Sequence, residues 1–269
     1  LKYASRVAGL NNYLKNRQGM LDSYADTDLL ERKQAEHEAL TAWVNSSAEN
    51  REAYAQDLAA IEQLLAQSQA EDREGYYRSL ATPRLLGMAQ VLYKLSQEQA
   101  KPDAEREVGY QARDLPRYQA YVAGMDRSFD VEVEMALDFY NLKNYLQVPA
   151  AQRDAEFDAA LGLQAEMSDA ELRELINSWY AATGLTDLDT RNELLAATPS
   201  QFADHQDVFV QAAVKLYPEQ QAQEDEAEEL AGQIQQAYAN YMRAKIAFMR
   251  EQGEAVYPDA NSTLRVTYG

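Results

Sequence analysis

The chain has 269 residues and 46% hydrophobic content, enough to bury one large core or two modest ones. Asp and Glu number 44 against 25 Lys and Arg, so the formal net charge is −19. Nucleic acids and anionic membranes are therefore not expected as partners, because binding to either depends on cationic side chains. The absence of cysteine excludes disulfides, thiolate metal sites and a cysteine nucleophile.

The 3.6-residue hydrophobic period dominates the chain, and only 11 Gly and 7 Pro interrupt it. No apolar run approaches the ~20 residues that span a bilayer, so a soluble segment is predicted. We predict an all-α, multi-helix bundle-like fold over residues 1–255. A basic and polar connector at 101–117 could divide it into two sub-bundles.

Helix boundaries are predicted from this period and from capping signals. Capping-box spacings at Ser46–Glu49 and Ser168–Glu171 mark two helix starts, and Pro83 suits the first position of another. The predicted helices cover about residues 1–20, 46–65, 83–101, 118–146, 168–183, 188–197, 207–216 and 218–253, with one more over 29–44.

The last predicted helix is the longest and carries a heptad seam, which predicts that it packs against an antiparallel helix. The seam residues alternate four and three positions apart: Leu230, Ile234, Ala237, Tyr241, Ala244 and Phe248. Acidic residues crowd its first turns between Glu219 and Glu229, in the sense that complements the helix macrodipole. The acidic run could form a weak calcium site, but ordinary helix solvation explains the same residues. We expect no metal and no cofactor.

The final residues differ from this helical pattern. Tyr257–Gly269 is typical of a turn followed by a strand at 263–268, and a lone edge strand needs a partner sheet. We therefore expect a piece of a larger protein, with residues 256–269 leading into a missing domain. The opening agrees, because Leu1 is not a methionine and no signal peptide or N-cap precedes the first helix.

Few residues point to catalytic chemistry. The two histidines, His37 and His205, lie in no motif, and no nucleophile elbow, HExxH or phosphate loop accompanies them. We predict that both are surface residues rather than members of a Ser-His-Asp triad or a metal site.

The first helix carries an unusual polar stripe. Apolar residues follow one face and small or amide residues follow the opposite one: Tyr3, Val7, Leu10 and Leu14 against Ser5, Gly9, Asn12 and Asn16, with Asn11 alongside. Asparagine and glycine each cost roughly 0.5–1 kcal/mol relative to alanine in a helix, so something should approach this face closely. Either a neighbouring helix or loop packs on the glycine and bonds to the amides, or the stripe binds a ligand.

Three segments resemble one known family: LKYASRVAGLNNYLKNRQGM, KPDAEREVGYQARDLPR and YPDANSTLRVTYG. They are similar to the bacterial dipeptidyl-peptidase 7 and 11 family, serine peptidase family forty-six, and together cover roughly a fifth of the chain. The resemblance implies a helical domain inserted into a chymotrypsin-like double β-barrel, where it caps the active-site cleft. The whole enzyme would remove dipeptides from the free amino end of peptides.

The resemblance also implies where the functional residues lie. The triad His and Asp would precede the inserted domain and the Ser would follow it, so no catalytic residue is expected here. One asparagine of the helical domain would bind the substrate ammonium group. The motif GLNNYLKN assigns that role to Asn12, with Asn11 as the alternative and Asn16 as a supporting residue.

The resemblance implies partners and location as well: the parent's catalytic barrel, peptide substrates with a free amino terminus, and a homodimer in the periplasm or at the surface of a Gram-negative bacterium. The rival interpretation is a non-enzymatic acidic helical binding or scaffold module, which the heptad seam and the acidic surface fit equally well. A peptidase needs His and Asp upstream and a Gly-flanked Ser downstream, whereas a scaffold needs neither.

Overall fold

The computed structural model describes residues 3–254, apart from the side chains at 5, 6 and 71–74. This range is helical and contains no β-strand, which confirms the predicted all-α class for it. The strand predicted at 263–268, and the segment 256–269 that contains it, lie outside the described residues. The helices are α1 (Ala4–Asp26), α2 (Leu29–Ser46), α3 (Ala48–Ala81), α4 (Arg84–Gln99), α5 (Leu115–Gly124), α6 (Val131–Tyr145), α7 (Ala155–Leu161), α8 (Asp169–Ala182), α9 (Leu188–Leu195), α10 (Pro199–Ala203) and α11 (Val208–Glu251).

The described residues form two compact units. Unit 1 consists of residues 3–12 and 70–226, and unit 2 consists of residues 13–69 and 227–254. The division falls within α1, α3 and α11, and the connector at 101–117 lies inside unit 1.

Unit 1 is built around α4, which is buried on most of its surface. Leu85 and Leu86 are fully inaccessible to solvent, and Met88 and Leu92 nearly so. Large aromatic side chains from later helices complete this core: Phe157, Trp179, Phe202 and Phe209. Burial of such side chains is the main term that stabilises the unit, since each removes a large apolar area from water.

Unit 2 has a smaller core, to which α2, α3 and α11 contribute. Leu40, Val44, Leu58 and Ala244 are buried at its centre. The aromatic residues Trp43, Tyr54, Tyr241 and Phe248 pack around them. The predicted seam of α11 is thereby confirmed as a packing face, because Leu230, Ala237 and Ala244 are all buried.

The two predicted capping boxes have different outcomes. Ser168 and Glu171 form the predicted reciprocal pair at the start of α8, where the Ser168 amide donates to the Glu171 carboxylate at 2.7 Å. The box predicted at Ser46 is wrong by one residue, because the Ser47 hydroxyl accepts the Asn50 amide at 3.0 Å. Either serine has the side chain for the role, and the chain path between α2 and α3 decides which one is used.

The helix break predicted at Pro218 is wrong. Pro218 lies inside α11, which is continuous from Val208 to Glu251. Proline removes one backbone hydrogen bond from a helix interior. The helix continues nevertheless, since the turns before Pro218 bury Phe209, Val210 and Leu216 completely in the unit 1 core.

The single apolar stretch predicted over 118–146 is also divided. It forms α5 and α6, and the Asp130 side chain caps α6 by accepting the Val133 amide at 3.3 Å. Val133 and Tyr140 are seven residues apart and so lie on one face of α6, yet they are 39% and 66% exposed. Two acidic residues, Glu134 and Asp138, are buried in their place.

Glycine provides a test of the backbone geometry. Gly162 ends α7 in the left-handed region at φ 72°, whereas Gly87 is helical and an added Cβ there would meet no described atom within 4 Å. We expect Gly162→Ala to lower the free energy of unfolding by about 1–2 kcal/mol, because a Cβ clashes in the left-handed conformation. The matched control Gly87→Ala should raise it by about 0.5–1 kcal/mol. Urea unfolding followed by circular dichroism measures both, and equal effects would contradict the assigned backbone conformations.

Candidate functional site

Helix α1 has almost no packing of its own within the described structure. Ala4 and residues 7–26 are all solvent-exposed, including the apolar Val7 (53%), Leu10 (55%) and Leu14 (62%). An amphipathic helix normally buries its apolar face against a core. A contiguous exposed stripe of this kind marks a surface that contacts something else.

The polar stripe of α1 is equally open. Asn11, Asn12 and Asn16 are exposed, and their carboxamides make no hydrogen bond to another described residue. A Cβ placed on Gly9 would meet no described atom within 4 Å. The described residues therefore do not provide the helix or loop that the packing interpretation of this stripe requires.

The three candidate asparagines do not all belong to one unit. Asn11 and Asn12 lie in unit 1, and Asn16 lies in unit 2. The carboxamide oxygen of each is a neutral acceptor, which can receive a hydrogen bond from an ammonium group without itself carrying a charge.

Tyr3 attaches the start of α1 to α6. Its hydroxyl accepts the Asp130 amide at 2.9 Å and donates to the Glu134 carboxylate at 3.0 Å. Burial, reinforced by the hydrogen bond to Glu134, raises the pKa of Tyr3. The phenol consequently remains a donor at neutral pH.

Glu134 is 1% exposed and is held from a second side by Arg84. The Arg84 guanidinium lies 3.2 Å from the Glu134 carboxylate and also donates to the carbonyl and hydroxyl of Ser128, at 2.6 and 2.7 Å. One turn further along α6, Asp138 accepts the Tyr180 hydroxyl at 2.8 Å. Burial and the neighbouring Asp138 charge raise the pKa of Tyr180. Both buried carboxylates thus have charged or phenolic partners, which offset the cost of removing them from water.

The histidines make structural contacts. His37 lies 2.9 Å from the Glu62 carboxylate and stacks on the Tyr241 ring. The Nδ1 atom of His205 accepts the Asp207 amide at 3.1 Å. Both side chains are partly exposed, and neither bonds to a serine hydroxyl in the described part of the chain.

The acidic run between Glu219 and Glu229 lies inside α11 rather than in its first turns as predicted. It is partly neutralised by ion pairs. Lys94 pairs with Glu224 and, at 3.0 Å, with Glu107, while Arg78 bridges Asp154 and Glu219. Burial alone would lower the pKa of Lys94, but the bonds to its two carboxylate partners outweigh this and raise it. Among the described side chains, no group of three or more His, Asp or Glu could hold a metal ion. Within the same range, no helix is long and apolar enough to cross a bilayer.

A shallow groove between α6 and α8 has a volume of about 290 Å³. Its lining is mainly apolar, and the Arg173 guanidinium stacks over the Phe139 ring at 3.6 Å. The groove contains no paired acid and base. The exposed carboxamides of α1 remain the better candidate site.

Stability measurements can test whether these amides have a structural role. We expect Asn11→Ala and Asn12→Ala each to raise the free energy of unfolding by roughly 0.5 kcal/mol, since alanine is the better helix former and no internal bond is lost. Asn50→Ala is the control, because the Asn50 carboxamide donates to the Trp43 carbonyl at 3.2 Å. That variant should be destabilised. A loss of stability in Asn12→Ala comparable to that of the control would assign the amide to folding instead.

Comparison with known proteins places the chain in a family. Residues 1–269 match the Peptidase S46 family. An Asp/Glu-specific dipeptidyl-peptidase of Shewanella putrefaciens is 35% identical over 270 residues, and the dipeptidyl-peptidase 7 of Capnocytophaga gingivalis is 25% identical over 280 residues. Each match covers 100% of this chain and 36% of the relative, so the chain spans little more than a third of the length of these proteins. The chain belongs to peptidase family S46, as its three resembling segments had indicated.

Proposed function

We propose that this chain is the helical, substrate-capping part of a serine exopeptidase that releases dipeptides from the free amino end of peptides. Family membership and the names of the two relatives support the activity. The observation that carries the assignment is α1, a long helix whose apolar side chains and carboxamides are both left open by the rest of the described structure. The bond-breaking triad would lie in the catalytic barrel, outside this chain.

An exopeptidase of this kind must hold the substrate ammonium group at a set distance from its nucleophile. We assign that contact to Asn12, with Asn11 as the alternative and Asn16 as a support. A hydrogen bond to a charged group contributes about 1.5–3 kcal/mol, and more of it is realised once a closing domain has excluded water. The exposed carboxamides, which have no partner among the described residues, support this role.

The apolar face of α1 would contact another part of the full-length protein, outside this chain. Val7, Leu10 and Leu14 are each more than half exposed, and the matched relatives are nearly three times as long as this chain. A covering domain would remove this apolar area from water at roughly 25 cal/mol per Å². On the family resemblance, we also propose a homodimer in the periplasm or at the cell surface.

Net charge gives the proposed cap a second role. A formal charge of −19 would raise the local concentration of peptides that carry an ammonium group and so increase their association rate. The same charge disfavours nucleic acid as a partner.

The substrate contact is tested by kinetics of the full-length enzyme. Asn12→Ala is expected to lower kcat/KM for dipeptidyl substrates by about tenfold or more, the loss of one charge-assisted hydrogen bond. Asn192, an exposed asparagine on α9, provides the control, and Asn192→Ala should leave kcat/KM unchanged. Unaltered kinetics in Asn12→Ala would remove it from the site, and a loss confined to Asn11→Ala would move the role by one residue.

The division between cap and barrel predicts that the isolated 269-residue chain cleaves nothing. Dipeptide release from a peptide with a free amino end should equal the blank for the purified chain, while the full-length protein turns the same peptide over. Turnover above the blank by the pure chain would refute the division.

A further inference from the structure

The Tyr3 side chain attaches the start of α1 to α6. The Tyr3 hydroxyl contacts the Asp130 amide just before α6 and the Glu134 carboxylate in its first turn. Every other α1 side chain that the structure describes is exposed. The Tyr3 phenol thus connects the first half of α1 to unit 1 through two hydrogen bonds.

The receiving side of the attachment is rigid. Glu134 is buried and paired with Arg84, and Arg84 also bonds to both the carbonyl and the hydroxyl of Ser128. Arg84 is the first residue of α4, which forms the centre of the unit 1 core. Bonds to charged groups in a partly buried site are strong and directional, so Tyr3 docks onto a fixed acceptor.

Helical geometry relates the position of Tyr3 to the direction of Asn12. Asn12 lies nine residues after Tyr3, and both belong to unit 1. Nine residues correspond to about 2.5 turns and a rise of about 14 Å. Asn12 is thus about half a turn around the helix from Tyr3, so that docking Tyr3 on α6 directs Asn12 away from α6. Asn11 lies eight residues after Tyr3, so it is rotated by only about 80° from Tyr3 around the helix axis.

We infer that Tyr3 is a positioning residue, which locks the start of α1 onto the buried Glu134 carboxylate and so orients Asn12 toward the substrate. This inference rests on the proposed function. Tyr3 itself touches neither substrate nor reacting atoms.

The matched pair Tyr3→Phe and Tyr180→Phe tests the inference in the full-length enzyme. Each variant removes one phenolic hydroxyl from a buried α6 carboxylate, and only the first hydroxyl is attached to α1. We expect Tyr3→Phe to lower kcat/KM for dipeptidyl substrates about three- to tenfold, mainly through a higher KM. Tyr180→Phe should leave both constants unchanged, although both variants should lower the thermal midpoint.

A double-mutant cycle separates positioning from a merely structural effect. If Tyr3 acts through Asn12, Tyr3→Phe combined with Asn12→Ala should be no slower than Asn12→Ala alone. Hydrogen exchange of residues 4–12 should accelerate in Tyr3→Phe and not in Tyr180→Phe. Hydrogen exchange tests the attachment of α1 by Tyr3 even if activity is lost through partial unfolding.

The outcomes distinguish the inference from the proposed function. If Asn12→Ala lowers kcat/KM strongly and Tyr3→Phe does not, Tyr3 is not a positioning residue, but the substrate contact of Asn12 is retained. The same conclusion follows if the losses in kcat/KM of the two variants multiply in the double variant. Equal kinetic losses in the two Tyr→Phe variants would reduce Tyr3 to a stabilising residue. No effect of Asn12→Ala would overturn the substrate contact and the positioning role together.

Discussion

A buried carboxylate must be given hydrogen-bond donors, and this requirement organises the part of the chain that carries the candidate site. Glu134 is inaccessible to solvent and is paired with Arg84 and Tyr3. Leaving such a charge unpaired would cost several kcal/mol, so the partners cannot move independently. Meeting this one requirement joins α1, α4 and α6.

Helix α1 differs, since Tyr3 holds its beginning and all its described side chains are exposed. Asparagine and glycine lower its intrinsic stability, and its apolar face is not buried by the described residues. Residues that weaken a local element without a local compensation are expected where binding is selected over folding. Membership in peptidase family S46 supplies a reason for such a helix, because the matched relatives contain a further two-thirds of polypeptide that could cover it.

Several elements were predictable because their causes are local. The Ser168–Glu171 capping box and the seam of α11 depend on residues three to seven positions apart, and both are present. The asparagine stripe was likewise visible, since helical periodicity alone aligns Asn12 with Asn16. Local sequence could not predict that Ser47 rather than Ser46 caps α3, because two adjacent serines are locally equivalent.

The amino-acid sequence by itself determined the all-α class of the described residues and the family, whereas the tertiary structure showed that the candidate amides are exposed. Only the tertiary structure decided that α6 turns two carboxylates inward, that α11 runs through Pro218, and that Tyr3 anchors α1. Each of these depends on partners far away in the chain: Glu134 and Tyr3 are 131 residues apart, and Arg84 and Glu134 are 50 apart. Periodicity reports which residues share a face, but the polarity of a buried face is set by whichever donors and apolar surfaces the fold brings against it.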